Sequence, residues 1–404
     1  MKKPNFALTR REFLHRTSAA VAASAVLTGP QILAAQPDRG RKGKIYPDQR
    51  RKYRDSKTGI TVWQMTDTPG CTSHAFYFTQ AGTTPDGRWL FYGSDRGGPR
   101  GQLNLFKMNL ESGESVQLTE SVSNLWPRWA HPSPDGKEIY FIENTNHFKA
   151  VHTETLEERS LGRVENCHRP HQIGVSPDNR FLVNGVLLEK KPEEDFLTKP
   201  HGFLIRSAIV VIDTQTGAQH RILDGNTPRT HVQHSPTDPN LLLYCYGGPW
   251  WHVQRMWLIQ ADGTNNRPIF LQTRFEGAGH EFWADDGRTI YVTCNGGRQP
   301  QGLWAVDIKT GREWCVMAGP CVGHGTANAQ QDRFVIDDMY FDCKTGLWVS
   351  AKGSTAAQLL CQTGADWHGR NQEHHPHPRF LPDGKTVSFT SAMTGSPEVY
   401  LVEL

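Results

Sequence analysis

The 404-residue sequence predicts an all-β fold, a seven-bladed β-propeller, and two observations support that prediction. A short turn signature built around an aspartate occurs seven times, at intervals of 43 to 60 residues. Each signature is followed by a run of β-branched and aromatic residues, which reads as a strand. A period of about forty to fifty residues with several strands per unit is typical of propeller blades. The signatures are centred on Asp86, Asp135, Asp178, Asp238, Asp286, Asp332 and Asp383.

The two ends of the repeat region predict how the ring closes. The last repeat ends in a third strand, Glu398 to Leu404, with no fourth strand after it. The segment from Ile60 to Met65, ahead of the first signature, reads as a fourth strand without a blade of its own. Pairing these segments would remove two free sheet edges. We therefore expect residues 58–404 to form the propeller, with the last blade closed by an N-terminal strand.

Residues 1–35 have the pattern of an export signal. Arg10 and Arg11 precede Phe13 and Leu14, and a short apolar run rich in Ala, Ser and Thr follows. This pattern is typical of signal peptides, and the paired arginines are typical of the twin-arginine type. We therefore expect a periplasmic or exported protein that crosses the membrane already folded. Residues 36–57 are basic and polar, and they are predicted to form an irregular lead-in.

Charge and motif content narrow the classes of partner and activity. The formal net charge is +3, and residues 1–36 carry +4, so the remainder is close to neutral. Such a balance predicts binding neither to nucleic acid nor to an anionic membrane surface. After the N-terminal segment, the sequence has no apolar stretch of about 18 residues, so no membrane span is predicted. No Gly-x-Ser-x-Gly motif occurs, which argues against a serine hydrolase. The oligomeric state stays open.

A histidine-rich segment at residues 372–378 carries the densest chemistry of the chain, just before the last turn signature. His375 and His377 are two residues apart, so a strand would direct both imidazoles to one face. Pro376 and Pro378 have no N–H, so that strand must have an unpaired edge, as on the wall of a central channel. Neutral imidazoles are common ligands of transition metals. The segment therefore predicts a metal site in the pore.

Two more ligands complete the predicted site. His280 lies two blades earlier and can face the same pore. Gln372 offers an amide oxygen, although its odd separation from His375 requires a bend or bulge. Three imidazoles and one neutral oxygen leave positions open on a six-coordinate ion. Because no carboxylate is among these ligands, the site would keep its positive charge and would favour an anionic ligand.

At these residues the chain resembles the oligogalacturonate lyase family. Members of that family are seven-bladed propellers in which Gln-x-x-His-x-His and a distant His hold a manganese ion. The matching residues here are Gln372, His375, His377 and His280. The similarity extends to three flanking segments, at 255–259, 279–283 and 387–391. The resemblance implies Mn²⁺, whereas the residues themselves are also compatible with Zn, Ni or Fe.

The resemblance also implies a catalytic pair and a reaction. The family has a catalytic histidine preceded by an arginine 25 residues earlier, and His231 and Arg206 have that separation. The implied reaction is β-elimination on an acidic oligosaccharide, oligogalacturonate, in pectin degradation. His231 would abstract the C5 proton while the metal and Arg206 neutralise the carboxylate. His234, on the same segment, remains a competing base.

Further substrate contacts are expected from four residues, Arg169, His171, His74 and His234. Two alternatives stay open. The chain reads Cys-Tyr-Gly-Gly-Pro at 245–249 where enteric members read Cys-His-Glu-Gly-Pro, so the substrate could be a different uronate glycan. A non-catalytic TolB-like binding propeller would share the Ser-Pro-Asp-Gly turns. The convergent ligands favour an enzyme, because a scaffold does not need them.

Overall fold

The computed structural model describes residues 42–190, 205–248, 251–273, 275–319, 323–338, 346–365 and 372–404. Within these ranges the strands form seven antiparallel sheets, one for each turn signature. The predicted seven-bladed β-propeller is therefore confirmed. Residues 1–41, which include the segment interpreted as an export signal, lie outside the described residues. No helix in the described ranges is long and apolar enough to cross a membrane.

Thirty-one strands and two 3-10 turns are described. The segment up to the end of the second blade contains β1 (Ile45–Tyr46), β2 (Arg51–Arg54), β3 (Thr61–Gln64), β4 (Ser73–Ala75), β5 (Trp89–Ser94), β6 (Asn104–Asn109), β7 (Ser115–Gln117), β8 (His131–Pro132), β9 (Glu138–Glu143), β10 (His147–His152) and β11 (Glu158–Arg163). Blades three and four contain β12 (Arg169–Pro170), β13 (Gly174–Val175), β14 (Phe181–Leu187), β15 (Ser207–Asp213), β16 (Gln219–Gly225), β17 (Arg229–His234), β18 (Leu241–Tyr246), β19 (Met256–Gln260) and β20 (Arg267–Pro268). The last three blades contain β21 (Gly277–Trp283), β22 (Thr289–Asn295), β23 (Gly302–Asp307), β24 (Glu313–Ala318), β25 (Gly325–Ala327), β26 (Arg333–Asp337), β27 (Gly346–Ala351), β28 (Gln358–Gln362), β29 (Arg379–Phe380), β30 (Thr386–Ser391) and β31 (Glu398–Glu403). The 3-10 turns are Pro127–Trp129 and Gln372–His374.

Each blade is built on an antiparallel meander of strands that are consecutive in the chain, to which β1 is added in the first blade and β2 and β3 in the last. The sheet orders are β1-β7-β6-β5-β4, β11-β10-β9-β8, β12-β14-β15-β16 with β13 also on β14, β17-β18-β19-β20, β21-β22-β23-β24, β25-β26-β27-β28 and β2-β3-β31-β30-β29. Short loops joining antiparallel neighbours are what the recurring turn signatures predict. The strand just ahead of each turn signature borders the pore, so residues from these strands meet there.

The last blade closes as the sequence predicts. Strand β3 pairs antiparallel with β31, which places Val62 opposite Val402 and Gln64 opposite Tyr400. The amide of Met65 also donates to the carbonyl of Val399 at 2.7 Å. Because β3 comes from the N-terminal end of the propeller and β31 from its last repeat, their ladder joins the two ends of the ring.

The predicted irregular lead-in at residues 36–57 is wrong for two short segments. Strand β1 adds to the outer edge of the first blade, and β2 adds outside β3 on the last blade. Tyr46 anchors β1, because its ring is buried against Phe106 and its hydroxyl donates to Gln117 at 3.2 Å. One buried aromatic in a basic stretch gives no periodic signal, which is why the sequence does not reveal these strands.

The turn signatures are stabilised by their aspartates. In the first of them, Asp86 Oδ1 accepts the backbone N–H of Arg88 at 3.0 Å, and Gly87 takes a left-handed φ of 70°. This arrangement is a side-chain-capped turn, in which glycine occupies the left-handed position without steric cost. The apolar core lies between neighbouring blades, as where Tyr140 and Phe148 of the second blade pack with Leu182 of the third.

Candidate metal and catalytic site

Three pore histidines have a left-handed backbone. The φ angles are 52° at His231, 49° at His280 and 48° at His377. His231 and His280 sit at register shifts where β17 and β21 each bulge against the next strand. A left-handed φ in a non-glycine residue costs about 1 kcal/mol or more, and a bulge redirects the side chain. The bulges therefore aim these imidazoles in directions that a regular strand would not allow.

The segment that carries His375 and His377 is not a strand, so that part of the sequence prediction is wrong. Residues Gln372–His374 form a 3-10 turn, and β29 begins only at Arg379. The two imidazoles still converge, with ring centroids 5.7 Å apart. The predicted bend at Gln372 is confirmed, because the turn brings Gln372 Oε1 to 3.1 Å from His377 Nε2.

A compact group of imidazoles forms the candidate metal site. One ring nitrogen from each of His324, His375 and His377 lies within 4.8 Å of the other two. His280 adjoins the group, with its ring centroid 4.1 Å from that of His324 and its Nδ1 2.8 Å from the carbonyl of Gly323. Burial lowers the pKa of all four imidazoles, so they are neutral at ordinary pH. Neutral imidazoles with an amide oxygen beside them fit a divalent transition metal.

A second group, next to the first, surrounds His231. The Nδ1 of His231 lies 3.1 Å from Glu281 Oε1, and Glu281 Oε2 lies 3.5 Å from Arg255 Nε. The Glu281 side chain is 0% exposed and that of Arg255 only 4%. Burial alone would raise the pKa of Glu281, but the nearby charges of Arg255 and His231 outweigh burial and lower it. Glu281 is therefore an ionised carboxylate that holds the Nδ1 side of His231.

Tyr77, just after β4, connects the two groups. Its ring centroid lies 4.7 Å from that of His377 and 5.7 Å from that of His231. Its hydroxyl lies 3.4 Å from His231 Nε2. Burial raises the pKa of Tyr77, so the phenol stays protonated. The metal group and the His231 group therefore share one wall of the same pore, and a ligand that reaches one can reach the other.

Arg206 is not brought to this site. Its side chain is 52% exposed, and its guanidinium forms two hydrogen bonds with Asp224 on β16, at 3.0 and 3.1 Å. Arg206 lies immediately before β15, and β16 is the outermost strand of that blade. The structure thus directs Arg206 towards an outer-strand carboxylate, because a matching sequence interval does not determine where a side chain points.

The four predicted substrate contacts fall in three places. Burial lowers the pKa of His171, with smaller contributions from the charges of Arg169 and His231, so these three residues are neighbours. His74 is buried on β4, its Nδ1 3.0 Å from the carbonyl of Ala75, and β4 lies beside the 3-10 turn of Gln372.

His234 lies elsewhere. It lines a cavity of about 310 Å³ together with His131 and Arg379, next to prolines of the turn signatures. Tyr77, His231 and Glu281 are not among the residues that line this cavity. The structure therefore favours His231 over His234 as the base.

Several residues at the site were not among the candidates selected from the sequence. His324 is visible as one of the histidines ahead of the turns, but nothing local distinguishes it as a ligand. Arg128, in the 3-10 turn Pro127–Trp129, is buried, and after burial itself its charge is among the causes that lower the pKa of His375 and His377. Arg128 therefore places a cation beside the metal group. Glu281 adjoins His280 in the sequence, and only the fold shows that it contacts His231.

Fold and site together define the class of this protein: a seven-bladed propeller whose pore carries a candidate histidine metal site beside a histidine–glutamate pair. Residues 41–404 match the family described as oligogalacturonate lyase, so the chain belongs to the oligogalacturonate lyase family. The resemblance found at Gln372, His375, His377 and His280 is thereby confirmed at the level of the family.

Individual relatives agree with this assignment. The chain is 29% identical to the oligogalacturonide lyase of Pectobacterium atrosepticum and 30% identical to the oligogalacturonate lyase of Dickeya dadantii, in each case over 90% of this chain and 98% of the relative. A solved structure of an oligogalacturonate lyase in complex with manganese superimposes with a TM-score of 0.81 at 27% identity. That match also covers 90% of this chain and 98% of the other.

Proposed function

We propose that this protein is a manganese-dependent oligogalacturonate lyase, a carbon–oxygen lyase that cleaves its acidic oligosaccharide by β-elimination. The family match over residues 41–404 carries the proposal, and the convergent imidazoles supply the site that this chemistry needs. The named relatives act on oligogalacturonate, and one solved relative binds manganese. Membership of a lyase family argues against the non-catalytic binding propeller.

The carboxylate of the uronate is the group that the site must hold. His280, Gln372, His375 and His377 would hold the ion, and all four side chains are neutral donors. A bound divalent ion supplies positive charge that stabilises the enolate-like charge formed when C5 loses its proton. Arg128 adds a second cation beside this group, in the role that the sequence suggested for Arg206. An anionic sugar is therefore favoured over a neutral one.

His231 is the base in this proposal. Glu281 accepts the Nδ1 proton of His231, which leaves the lone pair on Nε2, the nitrogen that faces Tyr77 and the pore. His231 Nε2 takes the C5 proton, the C5–H electron pair becomes the C4–C5 double bond, and the C4–O bond breaks with its pair on oxygen. The departing oxygen takes up the proton held by His231, so the base ends the cycle neutral. The product is a 4,5-unsaturated uronate.

We also propose export through the twin-arginine route, on the basis of Arg10 and Arg11 and the apolar run after them. A cargo that crosses folded can carry its metal with it. Fractionation of cells that produce the full chain tests this point: the mature protein should be recovered outside the cytoplasm, and Arg10→Lys with Arg11→Lys should retain it inside. Equal export of the double variant would contradict the twin-arginine assignment.

The lyase activity is tested with purified protein and oligogalacturonate. The ultraviolet absorbance of the conjugated double bond should rise, EDTA should abolish the rise, and added Mn²⁺ should restore it. His231→Ala should lower kcat by about a hundredfold or more, since a positioned base contributes that much, while Mn²⁺ binding is kept. Other uronate oligomers, offered in parallel, test the alternative substrate. Faster cleavage of one of these would overturn the oligogalacturonate assignment.

A further inference from the structure

His324 and Asp337 form a buried pair at the centre of the pore. Both side chains are 0% exposed. Asp337 Oδ1 accepts the backbone N–H of His324 at 2.6 Å, and Oδ2 lies 3.1 Å from His324 Nδ1. Asp337 is the last residue of β26, and His324 lies just before β25 of the same blade. A single carboxylate therefore fixes both the backbone and the ring of His324.

The same carboxylate also reaches the segment with the predicted ligands. Asp337 Oδ2 accepts the backbone N–H of His377 at 3.3 Å. One side chain thus links the sixth blade to the seventh at the position where their imidazoles meet. The rings of His324 and His377 are held 4.3 Å apart, measured between centroids.

The hydrogen bonding fixes which nitrogen of His324 can bind a metal. Burial raises the pKa of Asp337 to about 8, and a divalent cation at the adjacent imidazoles would favour the ionised form of this carboxyl. As a carboxylate, Asp337 is an acceptor only, so His324 Nδ1 then carries the proton and donates it to Asp337. The Nε2 atom then has the lone pair. This arrangement, in which a carboxylate orients a histidine by one nitrogen while the other nitrogen binds a metal, recurs in metalloproteins.

The distances agree with a shared ion. Two nitrogens that bind one ion at about 2.1 Å each are at most about 4.2 Å apart. The ligand atoms of His324, His375 and His377 lie within 4.8 Å of one another, so side-chain shifts of under about 1 Å would suffice. His280 is next to His324, whereas the compact group of three contains His324 in its place.

We infer that His324 is a further metal ligand and that Asp337 is its positioning residue, and this inference rests on the metal site of the proposed function. It goes beyond the ligand set given by the family resemblance, which contains neither residue. With His280, Gln372, His375 and His377, the site would have five protein donors. One position would then be left on a six-coordinate ion, which suits a single carboxylate oxygen of the substrate.

Metal binding by the full-length protein, freed of metal by a chelator and titrated with MnCl₂, tests the inference without any substrate. His324→Gln and Asp337→Asn are compared with the wild type and with His131→Gln. The control residue His131 is a half-buried histidine whose Nδ1 contacts the carbonyl of Pro132 and which lines the cavity that contains His234. Electron paramagnetic resonance of free Mn²⁺ gives the Kd, and spin-echo modulation gives the number of coordinated imidazole nitrogens.

His324→Gln should raise the Kd about tenfold or more and lose one coupled nitrogen. Asp337→Asn should raise the Kd about 10- to 100-fold. If the asparagine oxygen keeps the His324 amide, its NH₂ group faces Nδ1, so the ring proton moves to Nε2 and the lone pair there is lost. His131→Gln should bind like the wild type. Thermal unfolding of the metal-free proteins shows whether each variant folds. If His324→Gln does not fold, the number of coordinated nitrogens in Asp337→Asn decides whether His324 is a ligand.

If His324→Gln keeps the wild-type Kd and nitrogen count, the ligand role of His324 is overturned. If Asp337→Asn keeps them, the positioning role of Asp337 is overturned. These outcomes are separable from failure of the proposed function. If the wild type binds Mn²⁺ with the His324 nitrogen but leaves oligogalacturonate intact, the substrate assignment fails and the inference stands. If the wild type cleaves oligogalacturonate while His324→Gln keeps every nitrogen, the inference alone fails.

Discussion

Replacing Glu281 with glutamine should separate the orientation of the base from the rest of the site. The carboxylate lies 3.1 Å from His231 Nδ1 and is fully buried. When His231 takes a proton, the resulting imidazolium and this carboxylate attract each other by about 5 kcal/mol at an effective dielectric constant of about 20. That figure is a ceiling, because both charges are delocalised and an amide oxygen would keep part of the attraction. We expect kcat to fall about 10²- to 10⁴-fold, which corresponds to about 3 to 5 kcal/mol.

The same substitution removes the partner of a buried cation. Arg255 is 4% exposed and lies 3.5 Å from Glu281, so the glutamine variant leaves a buried guanidinium without its carboxylate. Breaking a buried ion pair by removing one partner costs about 3 to 5 kcal/mol of stability. Lost stability alone could therefore lower the measured rate. Arg255→Gln is the matched control, because it breaks the same ion pair and keeps Glu281 on His231.

Both variants should unfold at lower temperature than the wild type, but only Glu281→Gln should lose most of its kcat. Initial rates of ultraviolet absorbance increase, taken well below both unfolding transitions and with Mn²⁺ content measured, give the comparison. Equal losses of kcat in the two variants would assign the effect to packing instead of to the orientation of His231. A kcat within tenfold of wild type in Glu281→Gln would refute the role of Glu281 altogether.

Three other results are expected. Arg128→Ala should lower kcat/KM about a hundredfold through loss of a cation beside the carboxylate, whereas Arg206→Ala should stay within about threefold because an exposed ion pair contributes little; the reverse order would restore Arg206 to the site. Removal of Mn²⁺ should lower the unfolding temperature, since ligand at a hundred times its Kd stabilises by about 2.7 kcal/mol; an unchanged temperature in calorimetry would exclude tight binding to the folded state. Burial raises the pKa of Glu398 from 4.5 to about 7, so folding favours its protonated form and that stability is lost as the pH rises from about 4.5 to 7. Glu398→Gln should remove this loss, worth up to about 3 kcal/mol, in urea unfolding at pH 5 and pH 8; identical pH dependence in the two proteins would contradict it.

The blade count and the ring closure could be predicted because their causes are local or follow from sheet edges. An aspartate that accepts the amide two residues later makes a turn whatever surrounds it, as Asp86 does with Arg88. An orphan strand at each end of a repeat region predicts a shared blade, as β3 and β31 show. Strand β1 could not be predicted, because one tyrosine against Phe106 is a tertiary contact.

The sequence provides candidates for the site residues but does not give their geometry. The identity of His280, Gln372, His375 and His377 follows from the motif, yet their directions depend on backbone conformations that a period of two cannot describe. His377 has a φ of 48° and lies ahead of β29, so the expected shared strand face does not exist.

Arg206 shows that a matching interval in the sequence does not place a side chain at the site. Its interval to His231 fits the family pattern, but the guanidinium pairs with Asp224 on an outer strand. The number of residues between two positions limits how far apart they can lie in space. It does not determine the direction of either side chain.

The buried ionisable side chains explain why such local rules fail in the pore. Glu281, Arg255 and Asp337 are almost completely withdrawn from solvent, and a hydrophobicity pattern would place none of them in the interior. Burying a polar or charged group is unfavourable unless partners compensate for it, so each of these side chains must be held by groups that come from other strands or blades. His231 and His280 likewise have an unfavourable left-handed backbone conformation, and the packing around them must compensate for its cost. A fold that carries several such costs around one channel is organised for binding before any ligand arrives. Residues selected for that purpose, such as Asp337, are therefore recognisable only once the blades have been brought together.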